Sequence, residues 1–121
     1  MVFSGKYTAA LRYGEGDVAR VKVKDGICGH TTVIKTRRLG KDTVEVKIAS
    51  PCEMIKKLGG ELGEVKWKRV FSRDMRDSLV YEAAAKHVKH AGCPVPSAVI
   101  RAIEVELEMA PAKGIRIEIE K

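Results

Sequence analysis

The sequence lacks any apolar run able to cross a bilayer. Its longest stretch without a charge, Ala91 to Ile100, holds two prolines and falls far short of the roughly 20 residues a membrane helix needs. No membrane partner is expected. Aromatic residues are scarce, at 5% of the chain, so the interleaving of bases and rings used by single-strand nucleic-acid readers is missing, with Trp67 the one obvious stacking candidate. Cysteine is sparse too: there are three, with no CxxC pair. An odd count cannot pair completely within one chain, which argues against a disulfide framework. Met1 to Leu11 has no apolar core of the length a secretory signal requires, so a cytoplasmic location is expected. Internal repeats and low-complexity tracts are absent.

What is present describes a soluble globular domain. The 121 residues are 45% hydrophobic and 32% charged, which suits one domain spanning residues 1–121 and excludes a disordered or fibrous chain. The net charge of +7 is unevenly spread. Lys and Arg exceed Asp and Glu by five in residues 1–50 and by three in residues 51–90, while residues 91–121 are acidic by one. Such a field attracts nucleic acid, an acidic protein or a phosphorylated ligand without choosing among them.

The pattern predicts an α+β fold, a small antiparallel sheet of three to five strands packed against three helices. Lys6 to Tyr13 alternates weakly and reads as a strand. Val18 to Lys24 alternates clearly, Asp25-Gly26 is a hairpin turn, and Ile27 to Arg38 and Thr43 to Ala49 supply two more strands. Ser50-Pro51-Cys52-Glu53 carries a helix start, with Ser50 as N-cap, Pro51 at the first helical position and Glu53 completing a capping box. That helix is expected to end at Gly59-Gly60. Glu64 to Phe71 fits either a strand or a link. A long helix is expected over Asp74 to Ala91, stopped by Gly92, and another from Cys93-Pro94 to Pro111. Gly114 to Glu120 alternates as a closing strand.

The cysteines fall at element boundaries. Cys28 would share a strand face with His30, since residues two apart point the same way. Cys52 lies in a first helical turn near Lys56 and Lys57, where the helix dipole favours a thiolate and would make it the most reactive thiol if it is solvent-accessible. Cys93 opens a helix three residues after His90. Thiolate and imidazole are ligands for zinc and iron–sulfur clusters, so Cys28, His30, Cys52, His90 and Cys93 form a candidate metal set, with His30 favoured over His90 as the fourth ligand. Three buried small hydrophobes is the plain alternative. His87 reads as a partly exposed helix residue.

Cys28-Gly29, a strand, turn and strand leading to Cys52 at a helix start, and a late His90 and Cys93 element resemble the IscU/NifU-type iron–sulfur cluster scaffold. Val18 to Met109 carries the resemblance. It implies that Cys28, Cys52 and Cys93 hold a nascent cluster or zinc, and that iron–sulfur assembly proteins are partners. His30 stands where that family has an aspartate, and Ala91 and Gly92 separate His90 from Cys93 where the family's histidine and cysteine adjoin. The Cys-Gly, Ser-x-Cys and His-x-x-Cys-Pro-x-Pro elements also look similar to those of small methanogen-type archaeal proteins of no established activity. The expected function is thus a thiolate-rich metal or iron–sulfur binding protein, a scaffold or carrier rather than an enzyme. A basic module for nucleic acid or an acidic partner is the alternative. A thiol enzyme with Cys52 or Cys93 as nucleophile would need a base and an oxyanion site, and neither is identifiable.

Overall fold

Alternation of apolar and charged residues builds the sheet. The computed structural model describes residues 18–121. In it β1 (Ala19–Lys24), β2 (Thr31–Arg38), β3 (Thr43–Ala49) and β4 (Glu64–Lys66) form one antiparallel sheet in that order. Ala19, Val21 and Val23 point to the same side as Ile34, Thr36, Val44, Val46 and Val65, while the intervening residues point outward.

Among the described residues, helices cover only the inner side. They are α1 (Glu53–Leu62), the single turn α2 (Trp67–Val70), α3 (Leu79–His87) and α4 (Val95–Glu106). The expected stripe of α4 is buried from Val95 through Ala98, Val99 and Ala102 to Ile103, where α4 lies on β1, β2 and α3, in one core with Ile55, Leu58 and Leu62 of α1 and Val80 and Ala83 of α3. Each large aliphatic side chain removed from water in this way contributes about 1.5–3 kcal/mol. Thr36 is a polar residue fully buried on β2. Its hydroxyl donates to the Ala102 carbonyl at 2.9 Å, which satisfies it and fixes α4 across the strand. The α+β architecture of a four-stranded antiparallel sheet and three longer helices is the one expected. No helix among the described residues is long and apolar enough to cross a membrane.

Several boundaries differ from expectation. β2 starts at Thr31 because Asp25 gathers the preceding residues into a turn. Its carboxylate accepts the Ile27 N–H at 2.9 Å, its carbonyl accepts the Gly29 N–H at 2.8 Å, and its own N–H donates to the His30 carbonyl at 3.2 Å. Gly29 takes a φ of 74°, a left-handed conformation that glycine adopts without strain. Cys28 and His30 therefore belong to this turn and not to one strand face.

The N-cap of α1 is Cys52, not Ser50. Ser50 instead uses its hydroxyl in a local turn, accepting the Cys52 N–H at 3.2 Å and the Thr32 hydroxyl at 2.8 Å. The helix continues through Gly59-Gly60 to Leu62. Gly59 does not stop it but lets it approach the sheet, since a Cβ there would lie 3.1 Å from the Ile48 Cβ. Glu64–Phe71 resolves into β4 followed by α2.

The helix expected over residues 74–91 is α3 alone, preceded by a 3-10 turn at Met75–Asp77. It stops at His87 because Val88 turns extended and packs against the core. α4 ends before Pro111, where Glu108 adopts a φ of 60°. The Met109 N–H reaches the Glu104 carbonyl at 2.8 Å and the Glu108 N–H the Val105 carbonyl at 3.1 Å, a Schellman closure. Gly114–Glu120 is not a strand. Ile115, Ile117 and Ile119 are exposed, for alternation supplies a face, but a strand also needs an edge to pair with. The strand expected over Lys6 to Tyr13 lies outside the described residues.

Candidate thiol-lined site

Where β1 ends and β2 begins, the turn at Asp25–His30 meets the first residues of α1 and the link before α4. Between them lies a cavity of about 60 Å³. Cys28, His30, Cys52, His90 and Cys93, all five residues singled out in the sequence, line it, together with Asp25, Met54 and apolar walls that include Val23, Ile55 and Val95.

Three local devices bring the five ligand candidates to the cavity. The Asp25 turn carries Cys28 exposed and His30 half-buried. Cys52 caps α1 through its backbone, its carbonyl accepting the Lys56 N–H at 2.9 Å, and its thiol makes no capping hydrogen bond. Lys56 turns to Glu53 at 3.2 Å. The chain after α3 reverses in a tight turn in which the Cys93 N–H donates to the His90 carbonyl at 3.1 Å. The His90 ring folds back over Gly92, 3.3 Å from where a Cβ would stand. Pro94, rather than Cys93, is the N-cap of α4.

Electrostatics couples the thiols. Burial pushes the Cys93 thiol above its ordinary pKa, the Val95 backbone amide opposes that rise, and negative charge on Asp25, Cys52 and Cys28 adds to it. Thiolates that share a site resist ionising together, and a cation among them would reverse the effect. All three cysteines are free. Among the described residues, no group of three or more Cys, His, Asp or Glu is arranged as a ready-made ligand set; the side chains border one space without converging on one point.

His87 lies elsewhere. It contacts Glu61 at 2.7 Å, beside the Lys86–Glu61 pair at 3.0 Å, and these partners hold the Glu61 carboxyl below its usual range, His87 most and Lys86 next. Asp25 and Met54 of the wall carry no site signal of their own in the sequence. Asp25 reads in sequence only as a turn former. Met54 reads as an ordinary helix residue, yet its sulfur accepts the Lys89 N–H at 3.3 Å and so ties the link before α4 to α1. The signal for both was proximity in sequence to Cys28 and Cys52.

No curated protein and no solved structure matches the chain. A family model does, over residues 19–119, a span that contains all three cysteines and every element from β1 to α4. The chain belongs to the DUF6951 family, a family of unknown function.

Proposed function

We propose that this protein binds a thiophilic metal through Cys28, Cys52 and Cys93, with His30 as the fourth ligand and His90 as its competitor. One observation carries the reading: three cysteines and two histidines from three separate stretches of chain border a single small cavity. Five such residues in one lining set is not what scattered packing cysteines would give. Sulfur and imidazole donors suit zinc or an iron–sulfur cluster, and a four-coordinate site would take three thiolates and one imidazole.

Three thiols and two imidazoles on one cavity wall are donors enough for a single four-coordinate ion. The resemblance of the cysteine spacing to that of cluster scaffolds favours a cluster version, in which iron–sulfur assembly proteins would be the partners. Either version requires side-chain rotation to draw the sulfurs onto one point. The Asp25 turn, with Cys28 exposed at its tip, is the segment best placed to close. The chemistry is ligand capture and exchange, which needs no general acid or base.

Metal content and the visible spectrum of protein purified without oxygen test this. Zinc near one per chain with no visible band supports a single-ion site, and a charge-transfer spectrum with iron and sulfide supports a cluster. Metal-free protein that takes up neither zinc nor iron and sulfide overturns the proposal.

A further inference from the structure

The outward side of the sheet is the strongest charged surface the thiol site leaves unused. Strand alternation puts Arg20, Lys22 and Lys24 of β1, Lys35 and Arg37 of β2 and Lys47 of β3 on that side, and all but Arg37 are exposed. The register sets Arg20 opposite Lys35 and Lys35 opposite Lys47, a row of cations across strands about 4.8 Å apart. Like charges directly opposite each other destabilise a sheet.

The acids on this face sit toward its far edge, where Glu45 of β3 pairs in register with Glu64 of β4. Glu45 holds Arg37 at 3.1 Å and lies 4.0 Å from Lys47. Among the described residues, Arg20, Lys22, Lys24 and Lys35 have no carboxylate partner. The basic side of the face is thus an electrostatically unfavourable arrangement that an external polyanion would relieve.

We infer that this face docks the phosphate backbone of a double-stranded nucleic acid. Charge complementarity selects a polyanion, and a duplex carries one negative charge per about 1.7 Å of axis. No aromatic residue lies on the outward side of β1 to β4, so these strands offer the bases of a single strand no ring to stack on. Contacts confined to phosphates position a protein without reading sequence. The inference rests on residues separate from the thiol site and stands independently of metal binding.

The test is binding of a short labelled DNA duplex and its single strand, with polyglutamate as competitor, over a salt series. Engagement of Arg20, Lys22, Lys24 and Lys35 predicts a logarithmic salt slope of roughly −4 and about a 100-fold loss of affinity between ~50 and ~200 mM salt. Lys22→Glu with Lys35→Glu should abolish binding, whereas Lys57→Glu with Arg73→Glu, an equal charge change on exposed sites off the sheet, should leave most of it. Lys35→Glu alone places a carboxylate between Arg20 and Lys47 and should raise the denaturation midpoint, so lost binding cannot be laid to unfolding. No duplex binding at low salt, equal losses in the two double variants, tighter binding of the single strand, or displacement by polyglutamate as readily as by unlabelled duplex would each overturn the inference, the last in favour of an acidic protein.

Discussion

The Glu106 carboxylate accepts the Ala19 backbone N–H at 3.1 Å with one oxygen and the Arg38 N–H at 2.9 Å with the other. One side chain of α4 thereby closes the open end of the β1–β2 hairpin while remaining only 4% exposed. Replacing it by alanine leaves two amides without this acceptor and should cost about 2–4 kcal/mol, read from denaturant unfolding.

Burial also pushes the Glu106 pKa above its ordinary value of 4.5, against the opposing pull of the Arg38 and Ala19 amides. The folded state therefore holds the proton more tightly than the unfolded state does, and this group's contribution weakens as pH rises through its raised pKa. Relative to Glu106→Gln, the wild type should gain stability as pH is lowered from neutrality toward about 4.5. Unfolding curves of the two proteins across that range check the sign.

Glu108 occupies the left-handed position that ends α4, where a side chain costs roughly 1–2 kcal/mol and glycine is the usual choice. Glu108→Gly should raise stability by about 0.5–1 kcal/mol, measured as a shift in denaturation midpoint with unchanged slope.

Two adjacent glycines in α1 should respond differently to the same change. Gly60→Ala adds a methyl group into open space and should gain about 1 kcal/mol of helix propensity. Gly59→Ala brings the same propensity but sets its Cβ 3.1 Å from Ile48, so it should gain less or lose. Equal gains in the two variants would show that α1 does not approach β3 this closely.

The parts of the fold legible in sequence were those where one local pattern decides the outcome. β3 and the buried stripe of α4 follow alternation and helical spacing directly. The misread boundaries are places where local bonds or tertiary packing prevail: Asp25 diverts Ile27 and Cys28 into a turn, Gly59 serves contact with Ile48 instead of termination, and Val88 leaves the helix for the core. The candidate site was legible as a list of residues because cysteines at element boundaries are carried by loops that meet at one end of a sheet. Its geometry was not, since Cys28 and His30 were expected on a strand and sit in a turn, and the part of Met54 in the wall depends on its bond to Lys89, far along the chain.

Thiol reactivity separates the cysteines by environment. Cys28 is exposed, Cys52 and Cys93 are half-buried, and Cys93 is held protonated above its usual range first by burial. In metal-free protein, alkylation should be fastest at Cys28 and slowest at Cys93, since the thiolate is the reacting species. Because ligand thiols must deprotonate, metal affinity should fall as pH is lowered. Cys93 reacting fastest would show that its surroundings are not the ones described.

The shared thiol site is tested most directly by anaerobic cobalt(II) titration of the metal-free protein, watching the near-ultraviolet thiolate-to-cobalt band. The proposal predicts a band that saturates at a single equivalent, is bleached by zinc, falls in each of Cys28→Ser, Cys52→Ser and Cys93→Ser, and weakens more in His30→Ala than in His90→Ala. Absence of a thiolate band in the wild type, with the protein folded, would contradict it and leave Cys52 and Cys93 as packing residues and Cys28 as a surface thiol.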